Sequence, residues 1–124
     1  MIIETITYPF GTANFYKTFI HIKFNEDLEE VRLEYSKQLF KDVDAFYNSS
    51  KYVVISERGL NTAFNPLNMK SLNISKMEGL AVVSPEEVKR RDELILEQGY
   101  YKGSFAFFTN YEAAEEWART FEDN

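Results

Sequence analysis

Three apolar stretches in the second half of the chain each run directly into a helix start signal. The stretches are residues 51–57 (KYVVISE), 79–83 (GLAVV) and 104–108 (SFAFF), and the signals after them begin at Asn65, Ser84 and Thr109. A strand followed by a helix predicts parallel pairing, because parallel neighbours are joined by a crossover that is usually a helix. The second half therefore predicts three strand-helix units.

The first half predicts two strands and one long helix. Residues 2–8 and 15–24 predict the strands, and the sequence Pro-Phe-Gly-Thr at 9–12 predicts the turn between them. Apolar residues recur every three or four positions from 27 to 48, which predicts a helix with a capping box at Asp27 and Glu30. Alternation in the second strand puts Ile20, Ile22 and Phe24 on an apolar face, and Phe15, Phe19 and His21 on the face away from the core.

Shorter helices are predicted after each of the later strands. Asn65-Pro66 starts one that ends near residue 72, and Ser84 with Glu87 caps a second over 85–98, which Gly99 stops. Thr109 and Glu112 cap the last helix, whose inward residues are Ala113, Ala114, Trp117 and Phe121. These elements predict a single α/β domain over residues 1–124, with a mixed five-stranded sheet, an amino-terminal hairpin and about four helices.

Composition and charge exclude several function classes. The net charge of -6 repels a phosphate backbone, so we expect no nucleic-acid partner. The chain has no cysteine and one histidine, His21, which predicts no catalytic residue, no metal and no cofactor. We read His21 as a solvent or interface residue. Because we find no signal-peptide pattern and no apolar run of about 20 residues, we expect a cytoplasmic protein.

Several short motifs resemble the STAS (SpoIIAA-like) domain family, in particular a bacterial branch of it. They are 8–12 (YPFGT), 52–56 (YVVIS) with Arg58 and Asn61, 79–83 (GLAVV), and 105–108 leading to 111–117 (YEAAEEW). The resemblance covers nearly the whole chain and implies a STAS-like fold. It also implies a non-catalytic protein-interaction or regulatory module that acts on an unknown protein partner through the loop before the second helix.

The loop over residues 56–65 is the candidate binding site. It follows a predicted central strand and precedes a helix amino terminus, where free backbone N–H groups favour an anion. The expected contacts for a ligand or partner are Ser56, Arg58, Asn61, Thr62 and Asn65. In the alternative reading the loop is structural: Asn65 caps the helix, Gly59 makes the turn and Arg58 pairs with a neighbouring acid.

Thr62 is the candidate phosphosite that the resemblance implies. Signalling members of the family carry an Asp-Ser pair before the second helix, whose Ser or Thr a partner kinase phosphorylates. The matching stretch here has no such pair, and Thr62 is its hydroxyl nearest to that position. The departure favours constitutive binding over switching.

Phe, Tyr and Trp make up 16% of the chain, and most of them must lie in the core. Two explanations stay open for Phe10, Phe15, Phe19, Tyr100 and Tyr101, which fall on turns or on the polar strand face: an exposed apolar patch, or core packing against a partner subunit. We expect a homodimer closed through the second strand at Phe15, Phe19 and His21. The aromatic excess, with the kinship of the family to CRAL-TRIO lipid carriers, leaves a second function open. It is the binding of a lipid or a small apolar ligand.

Overall fold

The computed structural model of the chain describes residues 1–85, 91–101 and 103–122. Within these ranges the chain forms eight strands and four helices. In chain order they are β1 (Glu4–Tyr8), β2 (Gly11–Phe15), β3 (Phe19–Phe24), β4 (Glu30–Val31), α1 (Leu33–Tyr47), β5 (Tyr52–Glu57), β6 (Ala63–Phe64), a 3-10 helix (Pro66–Ser71), β7 (Met77–Val83), α2 (Arg91–Tyr100), β8 (Ser104–Phe108) and α3 (Tyr111–Arg119).

Six of the strands form one mixed sheet in the order β1-β2-β3-β5-β7-β8. The first three make an antiparallel meander, and β3, β5, β7 and β8 run parallel. The α/β class and the antiparallel amino-terminal edge are confirmed. The sheet has six strands instead of five. Residues 11–15, which overlap the predicted turn at 9–12, form the additional strand β2, and the predicted strand 15–24 begins only at Phe19, after a turn in which the Tyr16 N–H donates to the Phe19 carbonyl at 2.8 Å.

Helices cover both faces of this sheet. Leu39 of α1, Met69 of the 3-10 helix and Glu97 of α2 line one cavity, so these three helices share one face, as right-handed parallel crossovers that all step in the same direction would place them. The α3 helix follows the last strand and crosses the opposite face, where Ala114 and Ala118 pack on Val53 and Ala81. The core therefore has two layers, one on each side of the sheet.

Burial on both faces of the sheet overturns the predicted aromatic patch, because Phe10, Phe15 and Tyr101 pack in the core of the first face and Phe19 packs in that of the second. Phe15 and Phe19 are 0% exposed, Phe10 and Tyr101 are buried, and Tyr100 is half-buried. His21 is also buried, so our reading of it as a surface residue is wrong. The premise of a homodimer through the second predicted strand fails with them, because β3 lies inside the sheet between β2 and β5.

The long helix α1 begins later than the periodicity predicts. Residues 25–32 form turns and the strand β4, which pairs with β6, and the helix starts at Leu33. Its N-cap is Arg32, which makes no side-chain capping bond, so the predicted capping box at Asp27 and Glu30 is wrong. The predicted buried stripe is confirmed from there on at Leu39 and Val43.

The last two helices follow the prediction with small shifts. The capping box predicted at Ser84 and Glu87 extends into residues 86–90, which lie outside the described residues, and α2 passes through Gly99 to end at Tyr100. The α3 helix is capped by Asn110 instead of Thr109, because the Asn110 carboxamide oxygen accepts from the Ala113 N–H at 2.9 Å. Trp117 is half-buried rather than buried.

Candidate functional site

A cleft of about 360 Å³ lies beyond the carboxyl ends of the parallel strands. Crossovers from β5 and β7 leave toward one face of the sheet and the chain from β8 enters α3 on the other, and a crevice opens where such paths diverge. We call it the carboxyl-edge cleft. Its lining comes from the ends of β3, β5, β7 and β8 and the segments after them, and consists of Lys23, Phe24, Glu26, residues 57–61, residues 83–85, Thr109 and Asn110.

The predicted loop forms one wall of this cleft, and Arg58 fixes that wall to α2. Arg58 is 3% exposed and its guanidinium donates to both carboxylate oxygens of Glu97, at 2.9 and 2.8 Å. Glu97 is itself 0% exposed. A parallel pair of hydrogen bonds between guanidinium and carboxylate is both strong and strict in geometry. The loop is therefore held in one position against the helix.

Glu93 and Phe64 complete the surroundings of Arg58. The guanidinium reaches Glu93 at 3.3 Å and lies over the ring of Phe64, whose N–H donates to the same carboxylate at 3.1 Å. Burial works to lower the pKa of Arg58, but the two carboxylates outweigh it and the net shift is upward. The second reading of Arg58, pairing with an acid, matches this geometry.

The two hydroxyl groups of the predicted site also point inward. Ser56 is buried and its Oγ accepts from Arg58 Nε at 3.1 Å. Thr62 is 1% exposed and its hydroxyl donates to the Leu28 carbonyl at 2.6 Å. Transfer of a phosphate to Thr62 would require this segment to leave its place in the fold.

The exposed residues of the loop are Leu60, Asn61, Ala63 and Asn65. Leu60 and Asn61 line the cleft and are exposed. Asn65 lies outside the cleft and caps the six-residue 3-10 helix, where its carboxamide oxygen accepts from the Leu67 N–H at 3.1 Å. The structure thus brings Arg58 and Asn61 to the cleft and assigns Asn65 the capping role that our alternative reading gave it.

A histidine-carboxylate pair lies at the start of the cleft wall, where Glu57 contacts His21, and the sequence reading missed it. His21 Nε2 and Glu57 Oε1 are 2.7 Å apart, and the ring of Tyr111 stacks on the imidazole with centroids 4.0 Å apart. The hydrogen bond to His21 lowers the pKa of Glu57, so this cleft residue is held as a carboxylate. A period-two pattern in β3 could have placed His21 beside β5, but the sequence does not reveal that α3 covers it.

An apolar cavity of about 40 Å³ lies inside the core, between the sheet and the helices of the first face. Its walls include Ile22, Leu39 and Val54, and the Arg58–Glu97 pair closes one end. Cavities that hold small organic ligands measure about 300 to 1,000 Å³. This cavity gives no support to the lipid-binding alternative.

Metal and membrane signals were sought across residues 1–85, 91–101 and 103–122. No group of three or more His, Asp or Glu side chains in these ranges is placed to hold a metal ion. No helix found there is both long and apolar enough to span a bilayer. Comparison with protein-family models, with curated proteins and with solved structures gives no match to this chain. Functional inference therefore rests on the geometry of the cleft.

Proposed function

We propose that the chain is a non-catalytic interaction module of the STAS-like type, which binds a polar segment of a partner protein in the carboxyl-edge cleft. The observation that supports it is the construction of the cleft wall. A bidentate ion pair inside the fold holds the loop, while Leu60 and Asn61 face outward from it. A wall that needs no ordering on binding loses little conformational entropy when a partner arrives.

The lining of the cleft favours a peptide over an anionic ligand. The carboxamide of Asn61 offers a donor and an acceptor to a peptide backbone, and Leu60 offers an apolar contact next to it. Among the lining residues that the structure describes, Glu26 and Glu57 contribute two carboxylates against the ammonium of Lys23, since Arg58 is already paired with Glu97 and Glu93. An incoming phosphate or carboxylate would meet net negative charge from these side chains.

The non-catalytic assignment rests on how the loop groups are used. The charged and hydroxyl side chains of the loop are Ser56, Glu57, Arg58 and Thr62, and each makes an internal hydrogen bond. These side chains therefore hold the cleft wall in position.

A matched pair of leucine variants tests the proposal. Leu60 and Leu67 are both exposed, at 38% and 51%, but only Leu60 lines the cleft. We expect cross-linking in the native host to capture a partner protein with the wild type and with Leu67→Glu. Leu60→Glu should abolish capture of that protein, and Asn61→Ala should reduce the amount captured. Binding of that protein should then be reproduced with purified components.

Two results would contradict the proposal. One is capture of the same set of proteins by the wild type and Leu60→Glu. The other is a partner lost equally with Leu60→Glu and Leu67→Glu, which would place recognition outside the cleft.

A further inference from the structure

The two edges of the main sheet are built differently. At one edge, β1 presents Glu4, Thr5 and Thr7 to solvent, and charged or polar side chains are a common way to keep an edge from pairing. At the other edge, β8 has the sequence Ser-Phe-Ala-Phe-Phe, with no charge and with four of its five residues partly exposed. Among the described residues, no strand pairs with the outer side of β8.

The outward backbone groups of β8 belong to Phe105 and Phe107. The Phe108 carbonyl accepts from the Ser84 N–H at 3.1 Å, so Phe108 directs its backbone groups toward β7. In a parallel pair the backbone N–H and C=O groups of successive residues point alternately toward and away from the neighbouring strand. The backbone groups of Ser104 and Ala106 therefore point toward β7, and those of Phe105 and Phe107 point away from it. The edge therefore offers two N–H groups and two carbonyls to a neighbour.

A groove of mixed character runs beside this edge. It measures about 280 Å³ and lies between α2 and β8, with Leu94, Ile95, Phe105 and Phe107 in its lining beside the polar side chains of Arg91 and Gln98. Ile95 is 62% exposed. An exposed large apolar residue beside an uncharged open strand is typical of an interaction surface.

We propose that β8 pairs with β8 of a second copy of this chain, antiparallel, so that the two six-stranded sheets become one continuous sheet. The register that uses the whole strand centres a twofold axis on Ala106 and sets Phe105 of one copy opposite Phe107 of the other. Phe105 and Phe107 are the residues with outward backbone groups. Phe105 of one copy and Phe107 of the other therefore exchange two N–H···O=C hydrogen bonds.

Self-complementary side-chain pairing favours a second copy as the occupant, and β8 carries no charge that would oppose it. In this register each Phe105–Phe107 pair brings two aromatic rings together on the face covered by α2, a favourable cross-strand pairing, and the two small Ala106 residues meet at the axis. Two molecules with a net charge of -6 repel each other, but β8 has no charged residue, so the paired strands do not bring like charges together.

A proline variant tests the pairing. Phe107→Pro removes one outward N–H from each copy and leaves the bonds to β7 in place, while Phe107→Val keeps that N–H and serves as the matched control. In sedimentation across the micromolar range we expect the wild type and Phe107→Val to dimerise, and Phe107→Pro to raise the dimer dissociation constant by about tenfold or more.

Amide hydrogen exchange of the wild type gives a readout that needs no variant. We expect the amides of Phe105 and Phe107 to be protected in the dimer to a degree similar to the inward amides of Ser104 and Ala106. A wild type that stays monomeric throughout, or a dimer in which the Phe105 and Phe107 amides exchange freely, overturns the proposal. Protection that appears only when a different protein is added also overturns it, because that result makes β8 a docking edge for another chain.

Discussion

The buried pair of Arg58 and Glu97 makes a strong prediction about stability. Arg58→Met leaves the fully buried Glu97 without a cation, and removing one partner of a buried ion pair costs about 3 to 5 kcal/mol. We expect this variant to lie at the upper end, because Glu93 is then left facing Glu97 as well. Glu97→Met should cost less, since Glu93 at 3.3 Å from the guanidinium still opposes its charge.

The double variant separates the pair from its surroundings. With Met at both positions the core keeps similar volume and only Glu93 remains, whose side chain is 17% exposed and can turn toward water. We therefore expect the loss in the double variant to be smaller than the sum of the single losses by about 2 kcal/mol or more. Replacing a whole buried pair by apolar groups is often nearly neutral.

Urea unfolding at neutral pH measures these differences, with the fluorescence of Trp117, the single tryptophan, as the signal. Glu116→Gln, an exposed change on α3, is the control and should fall within about 0.5 kcal/mol of the wild type. Single losses below about 1 kcal/mol, or strict additivity in the double variant, would refute the claim that this pair holds the cleft wall.

Three further predictions follow from contacts elsewhere in the fold. Gly79→Ala should cost about 1 to 3 kcal/mol in urea unfolding, because a Cβ there would lie 3.0 Å from Phe121 and 3.1 Å from Trp117; unchanged stability would show that α3 yields freely. Thr62→Val should cost about 1 to 2 kcal/mol by leaving the Leu28 carbonyl unpaired, and a kinase that modifies Thr62 in the native protein at the rate of an unfolded peptide would contradict its burial. Glu57→Gln should be less stable than the wild type at neutral pH, and the gap should close as the pH falls below about 4.5. Because the pKa of Glu57 is lower in the folded state, its contribution to the free energy of unfolding is present above the unfolded pKa and is lost when the carboxylate is protonated in the folded state. A stability difference that stays constant in acid would refute this prediction.

Local patterns predicted the parallel half of the sheet well. The strand 104–108 has the predicted bounds, and β5 and β7 differ from prediction by one or two residues at their starts. Each of these strands is a continuous apolar run bounded by turn or cap residues, and such runs depend little on distant partners. The same clarity was absent at residues 25–32, where pairing of β4 with β6 overrides a helical period.

The candidate site was predictable only in position. The sequence indicated the loop after β5, and the structure puts residues 57–61 in the cleft wall. The partners of Arg58 lie 35 and 39 residues further along the chain, on a helix whose inward face the sequence leaves weakly marked. Burial of Phe19 and His21 was missed for a similar reason, since alternation in one strand cannot show that a helix from the end of the fold covers its polar face.

The one-directional strand order has a consequence for how the molecule forms during synthesis. Each strand of the main sheet pairs with the strand before it in that sheet, so the sheet grows outward from its first hairpin as the chain is made. The helices of the first face lie between successive strands in the sequence, so they are synthesised as the sheet grows. The second face has no cover until α3 emerges after β8, and until then Phe19, Val53, Ile55 and Ala81 present an open apolar surface. A nascent chain halted before Tyr111 should therefore be the species that chaperones bind.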